Sequence, residues 1–152
     1  MNHLDIQIES QATQLPNRQQ FQTWADLVLD NPSVYSSLVI RIIDESEMTE
    51  FNQKYRHKQG STNILSFPFD PPSEIANDYL GDLLVCAPVV EREALAQHKK
   101  LEHHWAHIII HGLLHLLGYD HIDDQEAKKM EQLEINLLKK ITIKNPYEEQ
   151  DN

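Results

Sequence analysis

The sequence predicts an α/β (α+β) fold with a four-stranded, mostly mixed sheet, about five helices and a metal site on a buried helix. Three observations support this prediction. Four short runs are rich in β-branched residues or alternate apolar with polar ones, as strands do. Five longer segments place apolar residues at helical spacing. One of these, residues 106–117, is apolar on nearly all sides and contains three histidines.

The first third of the chain predicts strands and helices in alternation. Residues 4–9 alternate apolar and polar side chains, which is typical of a half-buried strand. Residues 18–29 have the spacing of an amphipathic helix that ends near Asn31 and Pro32. Residues 37–44 are rich in β-branched side chains and predict a central strand. A short helix is expected at residues 46–55.

Two further strands are predicted around a long polar loop. Residues 56–61 form a basic turn, and the strand at 62–68 stops at a proline. Residues 69–78 are rich in proline and polar side chains, so we expect a loop there. The fourth strand is expected at residues 80–87.

The last part of the chain predicts three helices in succession. They cover residues 89–99, a segment from about Leu101, and residues 123–141. No glycine or proline separates the first two, so the break near residues 99–100 rests on pattern alone. We expect residues 1–144 to form one metallohydrolase domain and residues 145–152 to form an acidic, flexible tail.

Composition limits the class of protein. The chain has 152 residues and a formal net charge of −11, which by itself argues against a general nucleic-acid binder. A local basic cleft is still compatible with this total. One cysteine rules out an intramolecular disulfide, and there is neither a signal-like N-terminus nor an apolar run long enough to cross a membrane. We therefore expect a cytoplasmic protein with no membrane partner.

The segment H-G-L-L-H-L-L-G-Y-D-H, residues 111–121, predicts a metal centre. His111 and His115 are four residues apart, so a helix stacks them on one face about 6 Å apart along its axis. Gly118 suits the left-handed position that ends a helix, and the returning chain can then bring His121 to the same point. Three histidines with an open fourth position are typical of catalytic zinc.

The same segment is compatible with other interpretations. The ligand spacing is that of metzincin peptidases, but their glutamate base is replaced by Gly112, which we expect to leave space for substrate beside the metal. A purely structural metal would need a fourth ligand from the protein, and the single cysteine, Cys86, is the only sulfur candidate. Two histidines in a buried helix also arise by chance, although burying them without partners is costly.

The remaining histidines nearby are expected to have other roles. His107 lies eight residues before His115, about 12 Å along the axis, so both cannot bind one ion through bonds of about 2.1 Å. We expect His107 either to orient a metal ligand without binding the ion or to be a hydrogen-bonded core residue. His103 and His104 are expected at the surface or at the helix start. Asp120 either orients an imidazole or is a turn residue.

The 111–121 segment resembles the signature of the bacterial YbeY family of metal-dependent endoribonucleases, which act in ribosomal RNA maturation. Tyr55-Arg56 with T-N-I-L-S-F-P at 62–68, L-G-D-L at 80–83 and W-A-H before the histidine helix are similar to the family's other blocks. The resemblance covers roughly residues 35–125. One departure is Asn63, where many relatives have aspartate.

The resemblance implies an α/β fold, one Zn²⁺ (or another divalent transition metal such as Ni²⁺) on His111, His115 and His121, and cleavage of single-stranded RNA. It implies a catalytic Arg56 that lines the cleft. It also implies action at the 16S rRNA 3′ end and in ribosome quality control, with small-subunit proteins or an assembly GTPase as partners and no DNA. The alternatives are a zinc metallopeptidase-like hydrolase and a non-catalytic ribosome-assembly factor with a structural metal. Asn63 receives no role.

Overall fold

A computed structural model describes residues 2–30, 35–57, 59–69, 78–120 and 123–148. The elements follow the predicted order. They are β1 (Asn2–Glu9), α1 (Arg18–Val28), β2 (Ser36–Ile43), α2 (Glu45–Arg56), β3 (Ile64–Pro68), β4 (Tyr79–Cys86), α3 (Ala87–Ala96), α4 (Leu101–Leu116) and α5 (Asp124–Lys140).

The four strands form one mixed sheet in the order β1-β2-β4-β3. β1, β2 and β4 are mutually parallel, and β3 pairs with β4 in antiparallel fashion, with Ile64 opposite Val85. The predicted fold class is thereby confirmed. β3 lies at one edge of the sheet, and helix α4 packs against it.

The sheet has a core on each face because side chains alternate along its strands. The larger core lies between the sheet and helices α1, α4 and α5, and includes Leu38, Ile40 and Ile42 of β2. The smaller core lies on the α2 side and includes Leu84 and Cys86 of β4.

Helix boundaries follow from local chemistry. α1 begins with a capping box in which the Asn17 side chain accepts from the Gln20 backbone N–H, and the Gln20 side chain accepts from the Asn17 N–H. The predicted break between α3 and α4 is confirmed, with His98 in the left-handed region at φ 54°. Gly118 ends the histidine helix at φ 103°, a conformation that glycine adopts without a Cβ penalty.

His104 lies in the first turn of α4, one of the two places expected for it, and it is buried, with 3% exposure, because it faces Glu93 of α3. Of the expected tail, residues 145–148 are described: the Tyr147 hydroxyl donates to Glu134 of α5, and the Pro146 carbonyl accepts from the Lys99 ammonium at 2.9 Å. The predicted helix end at Asn31 and Pro32, and most of the 69–78 loop, lie outside the described residues.

No helix in the described ranges combines the length and the apolar character needed to cross a membrane.

Candidate metal centre

Helix α4 provides a rigid platform for the histidines. Ten of its residues are buried, and it packs against β3 and β4 on one side and against α1, α3 and α5 on the others. A helix that neighbouring elements cover on nearly all sides has apolar side chains on nearly all sides. Histidine rings on its remaining open stripe are therefore held in fixed positions.

His111 and His115 meet on this stripe. Their ring centroids are 4.6 Å apart and their Nε2 atoms are 3.1 Å apart. The His111 side chain is 21% exposed, so the pair lies in a half-buried recess that solvent still reaches. The structure thus brings together two of the three predicted ligands.

The geometry of this pair fits a metal ion. Two nitrogens bound to one tetrahedral zinc through bonds of about 2.1 Å lie about 3.4 Å apart, close to the observed 3.1 Å. His121, the third predicted ligand, lies outside the described residues. Within the described ranges, no three His, Cys, Asp or Glu side chains are grouped so that they could hold an ion.

Behind His111 lies a fully buried carboxylate, Glu134 of α5. Its Oε1 is hydrogen-bonded to His111 Nδ1, and its Oε2 accepts from the Tyr147 hydroxyl. Burial raises the pKa of Glu134, but the interactions with His107, His111 and Tyr147 outweigh burial and lower it to about 2. Glu134 is therefore ionised at neutral pH.

The ionised carboxylate fixes the tautomer of His111. A carboxylate only accepts hydrogen bonds, so His111 Nδ1 must carry the proton and donate it. The lone pair of a neutral His111 ring is then on Nε2, the atom that faces His115. This carboxylate–histidine arrangement is the one that orients metal-binding imidazoles in proteins.

Sequence analysis missed Glu134. The sequence nevertheless contains a signal for this residue. The three buried residues of α5 are Met130, Glu134 and Leu138, which are spaced four apart along one stripe. A charge in the middle of an otherwise apolar stripe is rarely buried unless it has partners, so this position indicated a buried interaction.

His107 belongs to the same network without reaching the ligand pair. Its Nε2 is 3.3 Å from the Tyr147 hydroxyl oxygen and 3.7 Å from Glu134 Oε1. Burial lowers the pKa of His107 against the opposing effect of Glu134, which favours the neutral ring. Since the Tyr147 hydroxyl donates its hydrogen bond to Glu134, the Tyr147 oxygen accepts from His107 Nε2–H.

Gly112 has a packing role that differs from the one expected. A Cβ at this position would lie 2.5 Å from Ile64 Cδ1 and 3.0 Å from Leu83 Cδ2. The space beside Gly112 is thus filled by the sheet and not left for substrate. A glutamate here, as in the metzincins, would have to enter this packed interface.

Arg56 and Asp120 are both exposed, Arg56 at the end of α2 and Asp120 in the segment after α4. Arg56 is the last residue of α2, and neighbouring Tyr55 contacts Phe67 of β3 at a centroid distance of 5.4 Å. Asp120 lies two residues after Gly118 and directly before His121, at the limit of the described range.

Asn63 and Cys86 also have structural surroundings that bear on the site. The Asn63 amide donates to Glu93 at 3.2 Å, and Glu93 in turn pairs with buried His104 at 3.0 Å. An aspartate at position 63 would face Glu93 without this donor. Cys86 packs in the smaller core, on the face of the sheet opposite α4, and so lies on the wrong side to be a fourth ligand.

Comparison with known proteins agrees with the motif. A protein-family model described as Endoribonuclease YbeY matches residues 5–142. The fold is similar to the solution structure of TM1509 from Thermotoga maritima, with a TM-score of 0.62 and 25% sequence identity. That similarity covers 90% of this chain and 88% of the other.

Proposed function

The chain belongs to the YbeY family of endoribonucleases, and we propose that it cleaves single-stranded RNA with the help of a metal ion during ribosomal RNA maturation. Within that process we assign it to the 16S rRNA 3′ end and to ribosome quality control. The observation that carries the proposal is the meeting of His111 and His115 Nε2 atoms at 3.1 Å, with ionised Glu134 behind them.

The proposed cofactor is one Zn²⁺ held by His111, His115 and His121. Imidazole nitrogens suit zinc and also nickel, so Ni²⁺ is the alternative ion. When bound, such an ion supplies Lewis acidity at the scissile phosphate. The chain itself contributes the orientation of the His111 ring. Nδ1–H donates to Glu134, and the Nε2 lone pair is directed to the site.

Arg56 is proposed to bind the substrate phosphate. A guanidinium can donate two parallel hydrogen bonds to phosphate oxygens and stabilise the charge that grows in the transition state. Its exposed position at the end of α2 supports this role. The Tyr55 ring beside it is 49% exposed, and an aromatic face of this kind can stack on an unpaired base.

The surroundings of the ligands are proposed to act through them. Tyr147 donates to Glu134 Oε2, and His107 lies 3.7 Å from Oε1, the oxygen bonded to His111, so both are proposed to fix the carboxylate that orients His111. Asp120 is proposed to orient the neighbouring His121. No contact with the ion is proposed for His107, Tyr147 or Asp120.

The metallopeptidase alternative is disfavoured by Gly112. That position lacks the glutamate base, and the packing of Ile64 and Leu83 leaves no room for one. The assembly-factor alternative, with a metal that only supports the fold, predicts tight binding to the small subunit without cleavage that a chelator abolishes.

The proposal includes partners and location. Ribosomal RNA is the proposed substrate, with small-subunit proteins or an assembly GTPase as protein partners and neither DNA nor a membrane. We place the protein in the cytoplasm, which a single, buried cysteine thiol supports.

The decisive experiment is cleavage of a single-stranded RNA by highly purified protein, beside His111→Ala and a chelator-treated sample. Loss of cleavage in both controls, with recovery when zinc is returned to the treated protein, supports catalysis at this centre. Equal cleavage by all three samples points to a contaminating nuclease and leaves the assembly-factor alternative ahead. Digestion of casein that depends on metal would revive the peptidase alternative.

A further inference from the structure

A second recess lies next to the histidine stripe, on the far side of His107 along α4. It is a cavity of about 320 Å³ between the turn that joins α3 to α4 and residues 142–146 after α5. Its wall on α4 is formed by His103 and His107. Neither His111 nor His115 is among its lining residues.

The charge of this cavity is opposite to that of the protein. Three of the chain's 13 basic residues line it, namely Lys99, Lys100 and Lys144, and His98 adds a further ring nitrogen. No aspartate or glutamate is among the described residues that line it, although the chain has 24 acidic residues. A random sample of this acidic surface would be expected to contain more carboxylates than ammonium groups.

In the described part of the chain, none of the three ammonium groups lies within 4.0 Å of a carboxylate, whereas Arg41 and Arg92 are both paired. Two acidic groups act on the lining residues: Glu93 acts on Lys99 at longer range, and Glu134 Oε1 lies 3.7 Å from His107 Nε2.

Lys99 is the cation that the structure holds in place. It donates to the Pro146 carbonyl at 2.9 Å, which joins the two walls of the cavity. One donated bond leaves the ammonium with two further N–H groups. Burial removes part of the water around the Lys99 ammonium group and thereby lowers its pKa. A bound anion would compensate for this lost hydration.

We propose that this cavity binds a phosphate group. Three ammonium groups with no ion pair among the described residues, one of them half-buried, and nearby imidazole nitrogens match the charge and donor requirements of a phosphate. An apolar ligand would not neutralise these charges, and a cation would be repelled.

Two sources can supply such a phosphate: the backbone of an RNA strand, or a free phosphate or mononucleotide. The cavity reaches His107, whose ring centroid is 6.3 Å from that of His111. His103, at its outer part, lies about 12 Å along α4 from His111. A strand bound at the histidines is therefore within reach of the cavity a few nucleotides away. This RNA source rests on the proposed function, whereas binding of free phosphate does not.

The test uses the full-length protein and amide chemical shifts measured by NMR. Inorganic phosphate, a 5′-mononucleotide and a short single-stranded RNA are each titrated into the wild type. The test variant is Lys100→Gln with Lys144→Gln, which removes two exposed charges without touching the Lys99–Pro146 bond. The matched control is Lys128→Gln with Lys129→Gln, two exposed lysines of α5 that do not line the cavity.

We expect phosphate to shift the amides of residues 97–100 and 142–145, and we expect the test variant to weaken that binding about tenfold while the control does not. If RNA shifts the same amides and the test variant lowers the salt dependence of RNA binding, the strand is the source. If only phosphate and the mononucleotide bind there, the source is a free anion. Shifts confined to other residues, or equal weakening in test and control variants, would overturn the proposal.

Discussion

His111 Nδ1 and Glu134 Oε1 are hydrogen-bonded across 23 positions of sequence, between helices α4 and α5. Because the carboxylate is ionised and can only accept, it determines which nitrogen of His111 carries the proton. The same carboxylate receives the Tyr147 hydroxyl. The proposed metal centre is therefore supported by a residue that is neither in the histidine motif nor near it in the chain.

The first prediction concerns metal affinity. Glu134→Gln keeps the size of the side chain but removes the charge that holds the His111 proton. Zinc affinity should fall about 10- to 100-fold, as measured by competition with a chromogenic chelator. Glu131→Gln, one turn earlier on α5, is the matched control and should bind zinc like the wild type. Equal affinity in both variants would remove Glu134 from the centre.

Acid stability provides a separate test of Glu134. Its pKa is lowered from 4.5 to about 2, so its contribution is fully present above pH 4.5 and is lost as the pH falls towards 2. In chelator-treated protein, Glu134→Gln should therefore show a smaller decrease in the free energy of unfolding over this interval. Urea unfolding at several pH values measures it. Parallel curves for wild type and variant would contradict the assigned shift.

The ligand assignment is tested by metal content. His115→Ala should lose stoichiometric zinc in elemental analysis, because one of the two Nε2 atoms that meet at 3.1 Å is removed. His3→Ala, an exposed histidine on β1, is the control and should keep its zinc. Full zinc occupancy in His115→Ala would show that the pair is not a ligand set.

Arg56 is tested by separating catalysis from folding. Arg56→Ala should keep its zinc and its unfolding midpoint but cleave RNA about 100-fold more slowly, as expected when one donor to transition-state charge is lost. Arg92→Ala removes an exposed arginine that is paired with Glu45 and serves as the control. An unchanged cleavage rate in Arg56→Ala would make Arg56 an ordinary surface residue.

The packing of Gly112 predicts a paired effect on stability. Gly112→Ala gains helix propensity of about 1 kcal/mol but places a Cβ against Ile64 Cδ1. Overpacking costs about 1–3 kcal/mol, so the free energy of unfolding should fall by about 1 kcal/mol in a urea titration. Ile64→Val removes that methyl group, and the double variant should recover part of the loss. A Gly112→Ala variant as stable as the wild type would refute this account.

The element order was readable from the sequence because local patterns determine it. Alternation along residues 4–9, helical spacing in α1 and α5, and a glycine at position 118 all act over a few residues. The break between α3 and α4 was also placed correctly without a glycine or proline. The position of His104 at the start of α4 was also among the expectations, but its burial was not, because burial depends on Glu93 of another helix.

The candidate site divides in the same way. The sequence by itself determined the His111–His115 pair, since four-residue spacing on one helix fixes which rings can meet. The tertiary structure alone decided that Glu134 lies behind His111, that Gly112 faces the sheet, and that three lysines from two segments line one cavity. These are contacts between elements distant in the chain, and a local pattern carries no record of which elements pack together.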